Sequence, residues 1–257
     1  MQNLKETAPV HGLEVLHEDE NLFAIIKPAL IHSVELPRLG DVAQDEDEGG
    51  EADSKSVAGL LLAGLPELGG VAPQAGDAGL VQRLDFETSG VLVGAKNKET
   101  WNRIREAFKQ GLAEKRYLVV LEGRLESQIS IDAPIGSPYR RASKVRAYVA
   151  GKKQAGRERA QPAESHFTSL VRDPHGAWTL AEVEASTGRR HQVRVHAAAL
   201  GHPLLGDALY GSKGNLLNPG EGIPRFALHA ASLKIAGVGA FEAPTPPYFA
   251  PYLGKGR

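Results

Sequence analysis

The residues best placed to do chemistry lie in Arg83-Leu84-Asp85-Phe86-Glu87-Thr88-Ser89-Gly90, followed by the apolar run Val91-Leu92-Val93. One carboxylate, Asp85, stands beside a fixed cation in a turn that Ser89 and Gly90 can close. An aspartate in a turn ordinarily just hydrogen-bonds its own backbone. Here apolar segments flank the turn on both sides and draw the carboxylate inward. A buried carboxylate stays ionised only with hydrogen bonds or a cation beside it. Arg83 is one candidate cation, although in extended chain it shares a face with Asp85, so both can point at a ligand instead.

A second cluster, Gly188-Arg189-Arg190-His191-Gln192-Val193-Arg194-Val195-His196, lies about a hundred residues on. Val193, Val195 and the run Ala197–Leu200 surround Arg194 with apolar bulk, so Arg194 is expected to be partly buried and to need an anion. Asp85 is the anion this reading assigns to it. The alternative is a basic helix or strand face in water. Tyr117, between Arg116 and Leu118 in an apolar run, is either a core or edge tyrosine or a platform on which a flipped base stacks.

Other chemistries find less support. His191, His196, His202 and Asp207 are metal-ligand types, but the histidine spacings of five and six miss the i, i+4 step that sets two imidazoles on one helical face. No metal site is therefore assigned. The glycine-rich stretches fit neither a P-loop nor a dinucleotide fingerprint, and Gly-x-Ser-x-Gly is absent.

The elements that must position these groups read mainly as strands. Leu13–His17 and Asn21–Lys27 form two, around the acidic turn Glu18-Asp19-Glu20 and ended by Pro28. Ser56–Leu65 reads as a short helix stopped by Pro66, Gly69–Gly79 as loop, and Leu80–Ala95 as strand, turn, strand. Asn97 caps a helix whose apolar positions Trp101, Ile104, Phe108 and Leu112 follow helical spacing towards the core, with Gly111 near its end. Further strands are expected at Lys115–Gly123, Ser143–Val149, Glu164–Val171, Trp178–Glu184 and Phe226–Ile235, with a helix at Arg190–Leu200. Short turns join most neighbours. The fold class is therefore α+β, a mixed, mainly antiparallel sheet flanked by a few helices.

The chain of 257 residues is long enough to bury a sizeable core, and its 42% apolar and 24% charged shares are ordinary for globular proteins. It has no Cys, which excludes disulfides and fits a reducing, cytoplasmic setting. Met1–His11 lacks the apolar core of a signal peptide, and no run approaches the roughly 20 residues of a membrane span. The net charge of -1 conceals two opposite segments. Asp41–Asp53 is acidic throughout and reads, within about 40–56, as a surface insertion. Arg140–Arg159 holds eight Lys or Arg against a single acid, Glu158. That basic stretch is either a solvated loop with a hairpin or a phosphate-contacting surface.

Taken together, Arg-Leu-Asp-x-x-Thr-Ser-Gly (83–90), Lys-x-Tyr (115–117), Thr-Gly-Arg-x-His-Gln-x-Arg-Val-His (187–196), Gly-His-Pro-Leu-Leu-Gly-Asp (201–207) with Tyr210-Gly211, and Leu-His-Ala-x-x-Leu (228–233) resemble the RluA-type RNA pseudouridine synthases. An early Lys27-Pro28 also matches. Each motif alone is modest, whereas their succession in order along most of the chain is specific. The resemblance implies isomerisation of uridine to pseudouridine in rRNA or tRNA, without cofactor or metal. It implies that Asp85 attacks the nucleoside, that Arg194 pairs with it, and that Tyr117 stacks on the base and helps remove a proton. Arg83 would fill the gap left by the flipped nucleotide and Val193 would pack on the base, with Gln82, Arg189 and His191 contributing to RNA binding. The chain departs from the pattern at Gln82, where the family motif usually has His, and in the Asp41–Asp53 insertion. Residues 1–257 are expected to form one catalytic domain, monomeric and without a separate S4-type RNA-binding domain. Two readings from other classes compete: a catalytically silent RNA-binding protein on the same scaffold, and a metal-dependent hydrolase using the histidines.

Overall fold

The computed structural model describes residues 12–35, 56–139, 142, 144–149 and 159–254. The acidic insertion and five of the eight basic residues of Arg140–Arg159 lie outside them. The strand most completely enclosed is β3 (Ser89–Ala95), every residue of which is buried. Its run Gly-Val-Leu-Val-Gly-Ala carries no charge and can be covered on both faces. β2 (Leu22–Lys27) pairs antiparallel along its whole length, and β1 (Glu14–Glu18) extends the sheet beyond it.

On its other side β3 meets β10 (Leu228–Ile235) in a parallel pairing. β10 continues the sheet antiparallel into β4 (Ala113–Glu122), followed by β9 (Trp178–Ala185), β8 (Glu164–Arg172) and β5 (Gln128–Asp132). β11 (Gly239–Glu242) also pairs with β10, completing nine strands. β6 (Ile135–Gly136) and β7 (Arg146–Ala147) form a separate small pair. The β3–β10 contact requires glycine at position 90. There φ is +116°, and a Cβ would stand 2.2 Å from the Ala230 carbonyl oxygen. This seam brings the Asp85 turn, just before β3, to the middle of the sheet.

Among the described residues three α-helices cover the sheet. α1 (Val57–Gly64) is capped by Ser56, whose hydroxyl accepts from the Gly59 amide, and buries Val57, Ala58 and Leu61. α2 (Lys98–Lys109) starts at Asn97, whose side chain accepts from the Thr100 amide, and packs Trp101, Ile104 and Phe108 beside Val91, Val93 and Leu233. α3 (Gln192–Ala199) packs Val193 and Ala197 among Val119, Leu121, Val183, Phe226 and Leu228 on the face of β4 and β9.

The α+β class and mainly antiparallel sheet agree with expectation; several local features differ. Leu112 lies beyond α2 and is 47% exposed, because the helix stops before that residue can turn inward. Leu80–Ala95 contains one strand rather than two. Leu80 forms only an isolated bridge, and residues 82–88 run as an ordered loop. Side-chain and loop partners replace the ladder there, since Leu84 bonds Ser33 through both its amide and its carbonyl, and Phe86 accepts from the Leu30 amide. Gly69–Gly79 includes short 3-10 turns at Pro66–Gly70 and Ala75–Asp77. The strand expected at Ser143–Val149 is reduced to β7. Among the described residues no helix is long and apolar enough to cross a membrane.

Candidate active site

The loop carrying Asp85 is held from behind by the last residue of β2. Lys27 is completely buried, and its ammonium donates to the carbonyls of Thr88 (2.7 Å), Pro28 (2.9 Å) and Phe86 (3.2 Å). The Thr88 amide closes the turn onto the Asp85 carbonyl at 3.0 Å. Behind the next residues, the Ser89 hydroxyl contacts His229 Nδ1 (2.7 Å) and the Tyr248 hydroxyl (2.6 Å). Glu87 is buried and accepts from the backbone amide and guanidinium of Arg225. Both ends of the turn are thus fixed to neighbouring elements, while the Asp85 side chain remains 24% exposed.

α3 delivers the facing cation. Arg194 lies on its inward side, with its side chain 5% exposed and its guanidinium against the rings of Phe226 (4.5 Å) and Tyr210 (5.1 Å). Nη1 approaches Asp85 Oδ2 at 3.5 Å, the outer limit of a hydrogen bond. The closer partner is Asp207: Arg194 Nε donates to Oδ2 at 2.7 Å and Nη2 to Oδ1 at 3.0 Å. The expected Arg194–Asp85 pair is present, but Asp85 is the weaker of two anions around the guanidinium. Arg194 is neutralised bidentately by a carboxylate that is only 1% exposed, and touches Asp85 with its remaining nitrogen. Asp207 follows Gly206 (φ +92°), where a Cβ would collide with the Arg225 carbonyl at 1.9 Å.

The electrostatics favour ionised Asp85. Burial pushes its pKa up, but His191, Arg194 and Lys27 outweigh that and hold it below the usual carboxylate value. His191 supplies its charge only in acid, because burial, with Arg194 and Arg190, lowers its own pKa despite the opposing pull of Asp85 and Asp207. At neutral pH the two permanent cations act alone. His191 takes a left-handed conformation (φ 51°) at the start of α3 and bonds the Tyr210 hydroxyl at 2.9 Å.

Tyr117, on β4, is half-buried against the α3 side of the sheet, and its phenol pKa is raised by burial and by the Asp85 charge. The phenol therefore stays protonated at neutral pH. It offers a ring face and a donor hydroxyl. Val193 is 5% exposed and shares the cluster that Tyr117 packs against.

The other expected residues ring this centre less closely. Arg83 is exposed and makes no hydrogen bond or ion pair with a described residue. Gln82 is half-buried and its side-chain carbonyl oxygen is buried without a partner. Arg189 is half-buried, with Nε donating to the Pro162 carbonyl (2.9 Å). Among the described residues no group of three or more acids and histidines is arranged to hold a metal ion.

Sequence reasoning missed three supporting groups. In the sequence Asp207 stands out only as a metal-ligand type and as the end of the Gly201–Asp207 motif. Lys27 had been noted only as part of Lys-Pro. Gln192 organises the loop before α3: its amide oxygen accepts from Thr187 (2.8 Å) and the Arg189 amide (3.0 Å), and its nitrogen donates to the Glu164 carbonyl (2.8 Å). The local signal for Lys27 and Asp207 is a polar side chain inside a largely apolar stretch, which announces burial without naming a partner; Gln192, in a basic cluster, carries no such signal.

The family model described as RNA pseudouridylate synthase matches residues 72–199, a span containing Asp85, Tyr117 and Arg194. A ribosomal large subunit pseudouridine synthase D of Nitrosomonas europaea is 32% identical over 229 residues, covering 87% of this chain and 58% of that protein. An uncharacterized RNA pseudouridine synthase of Zymomonas mobilis is 36% identical over 176 residues, covering 66% of this chain and 74% of the relative. The structure of human RNA pseudouridylate synthase domain containing 1 superposes with a TM-score of 0.66 at 26% identity, over 97% of this chain and 89% of that one. The chain spans 58% to 65% of the length of several curated relatives that it matches. Sequence motifs, sheet and site thus converge, and the chain belongs to the RluA-type RNA pseudouridine synthases.

Proposed function

We propose that this protein isomerises uridine to pseudouridine in structured RNA, with Asp85 as the nucleophile. The observation that carries this reading is the pairing of one under-bonded, ionised carboxylate with a buried guanidinium that a second carboxylate already satisfies. An Asp85 oxygen would bond to C1′ of the target ribose as the C1′–N1 bond breaks, its electrons leaving with the uracil. The detached base turns, C5 attacks C1′, and the carboxylate is released. The proton lost from C5 is balanced by one gained at N1, so atoms and charge are conserved without a co-reactant. Arg194 keeps the carboxylate charged and oriented at no titration cost, since a guanidinium is always protonated.

A uridine stacked in RNA cannot present C1′ and C5 to such a group, so the nucleotide must leave the stack, at a cost of about a few kcal/mol. The Tyr117 ring would supply a stacking face inside the site, and exposed Arg83 would occupy the vacated position. The orphaned oxygen of Gln82 is an acceptor for a ribose hydroxyl or base N–H of the bound RNA. Tyr117 contributes stacking and hydrogen bonding, its phenol held in the protonated form by burial and by the Asp85 charge. The substrate favoured is large-subunit ribosomal RNA, in keeping with the names of several relatives; transfer RNA is the competing substrate. The catalytic unit is read as one domain, acting as a monomer in the cytoplasm.

Tritium release from 5-labelled uridine tests this directly. Purified protein should release tritium from unmodified large-subunit rRNA, and Asp85→Asn should release none while melting close to the wild type. Appreciable turnover by the variant would remove Asp85 as nucleophile. Release from tRNA alone would overturn the substrate assignment and keep the chemistry.

A further inference from the structure

Lys115 is the first residue of the Lys-x-Tyr motif, and the mechanism above gives it no task. It lies on β4 two residues before Tyr117, so both side chains project from the same face of the strand. Its ammonium stands 5.1 Å over the Phe108 ring of α2. It makes no hydrogen bond or ion pair with any described residue. Its other charged neighbour is a second cation, Arg189. A side chain added at Gly188 would meet the Lys115 amine at 3.7 Å, so glycine there leaves the space beside the amine open.

Other surroundings of Lys115 do not neutralise it. In register on either side stand uncharged Ala185 of β9 and Leu233 of β10. Along its own strand face the nearest titratable group is Tyr117, whose phenol is neutral. Arg189 is held in place by its Nε bond to the Pro162 carbonyl and by its amide bond to Gln192, which leaves its terminal guanidinium nitrogens without a partner among the described residues. Among the described residues these two half-buried cations converge with no acid between them. Burial and the Arg189 charge together push the Lys115 pKa down to about 8. Such an arrangement costs stability unless an anion completes it.

We infer that Lys115 and Arg189, over the open backbone at Gly188, form a subsite for one phosphodiester of the RNA, adjoining the nucleotide that enters at Asp85 and Tyr117. Two residues along a strand advance about 7 Å, a distance comparable with the reach of a single extended nucleotide. An RNA strand can therefore lay a phosphate on Lys115 while the neighbouring base reaches Tyr117. Gly188 matters because the phosphate oxygens must approach the backbone. The inference rests on the proposed function for the identity of the polyanion, and on the geometry of the two cations for its place.

The test compares wild type, Lys115→Met and Lys115→Arg on an unmodified large-subunit rRNA transcript, by equilibrium binding over a salt series and by tritium release. Lys115→Met should weaken binding about tenfold and reduce the salt slope by roughly 0.7 to 0.9, the value of one lost phosphate contact. The loss should fall on KM rather than kcat, and Lys115→Arg should restore it. For the wild type, kcat/KM should fall above about pH 8 as Lys115 deprotonates, and Lys115→Arg should remove that limb. An unchanged salt slope in a folded Lys115→Met protein, or a loss confined to kcat, would overturn the subsite. The binding arm stands without turnover: wild-type protein that binds the transcript but releases no tritium refutes the proposed activity instead.

Discussion

Replacing Asp207 by Ala should destabilise this protein far more than replacing Asp85. The Arg194 and Asp207 side chains are 5% and 1% exposed and joined by two hydrogen bonds of 2.7 and 3.0 Å. Removing the carboxylate strands a buried guanidinium, which keeps a longer contact with Asp85 at 3.5 Å. Breaking one side of a buried pair costs about 3 to 5 kcal/mol. For a chain of this size each kcal/mol lowers Tm by about 2 to 4 °C, so a fall of roughly 6 to 20 °C is expected. Asp85→Asn should change stability by less than about 1 kcal/mol, because Asp85 is 24% exposed and its single contact with Arg194 is long. Thermal melts and urea titrations of both variants provide the comparison. The double substitution Arg194→Met with Asp207→Leu should recover much of the loss, since an apolar pair of similar volume leaves no buried charge. An Asp207→Ala protein melting within a degree or two of wild type would show that Asp207 is not the anchor of Arg194.

Two further outcomes follow from the groups behind the turn. Lys27→Met should cost about 3 kcal/mol or more, because the Pro28, Phe86 and Thr88 carbonyls lose a buried donor; kcat should fall with it as the Asp85 turn loosens, and a variant with wild-type urea midpoint and kcat would refute that role. His229 is fully buried and its pKa is lowered by burial to about 4, against an unfolded value of roughly 6.5. Between those values the unfolded chain binds the extra proton. His229 thus costs nothing above about pH 6.5, and stability drops as pH falls towards 4, by up to about 1.4 kcal/mol per pH unit. His229→Gln should flatten the pH dependence of the urea midpoint over that range without abolishing it, since His32, His191 and His196 are also shifted down. An identical slope would mean that His229 is protonated in the fold.

The parts of the fold legible in the sequence are those governed by local periodicity. α2 carries its cap at Asn97 and its inward face at Trp101, Ile104 and Phe108 within one stretch of chain. β3 is an apolar run bounded by turn residues, and β4 carries the apolar run Tyr117–Leu121. Legibility ends where backbone groups find partners far along the chain. Leu80–Leu84 has the composition of a strand, but Ser33, 51 residues away, takes both polar groups of Leu84. Likewise nothing around Lys27 says that its amine will turn inward to carbonyls 59 and 61 residues on. The site shows the same limit. Apolar bulk around Arg194 predicted burial, and burial demanded an anion, but two acids satisfy that demand and the sequence does not rank them. Asp207 lies in a glycine turn whose proximity to α3 arises only when the chain folds back.

That ranking bears on the chemistry. Were Asp85 the bidentate partner of Arg194, both of its oxygens would be engaged, and attack on a sugar carbon would first require breaking two charge-assisted bonds. With Asp207 in that position, Arg194 stays charged, buried and fixed at little expense to Asp85. Asp85 then has enough positive potential nearby to remain ionised, from Arg194 and Lys27, yet only one long bond to surrender. The partial exposure of Asp85 serves the same end, since a nucleophile must be reachable from outside, whereas Asp207 is sealed. In the proposed reaction the two carboxylates around one guanidinium therefore divide the work: the enclosed one stabilises the cation, and the open one is left free to react.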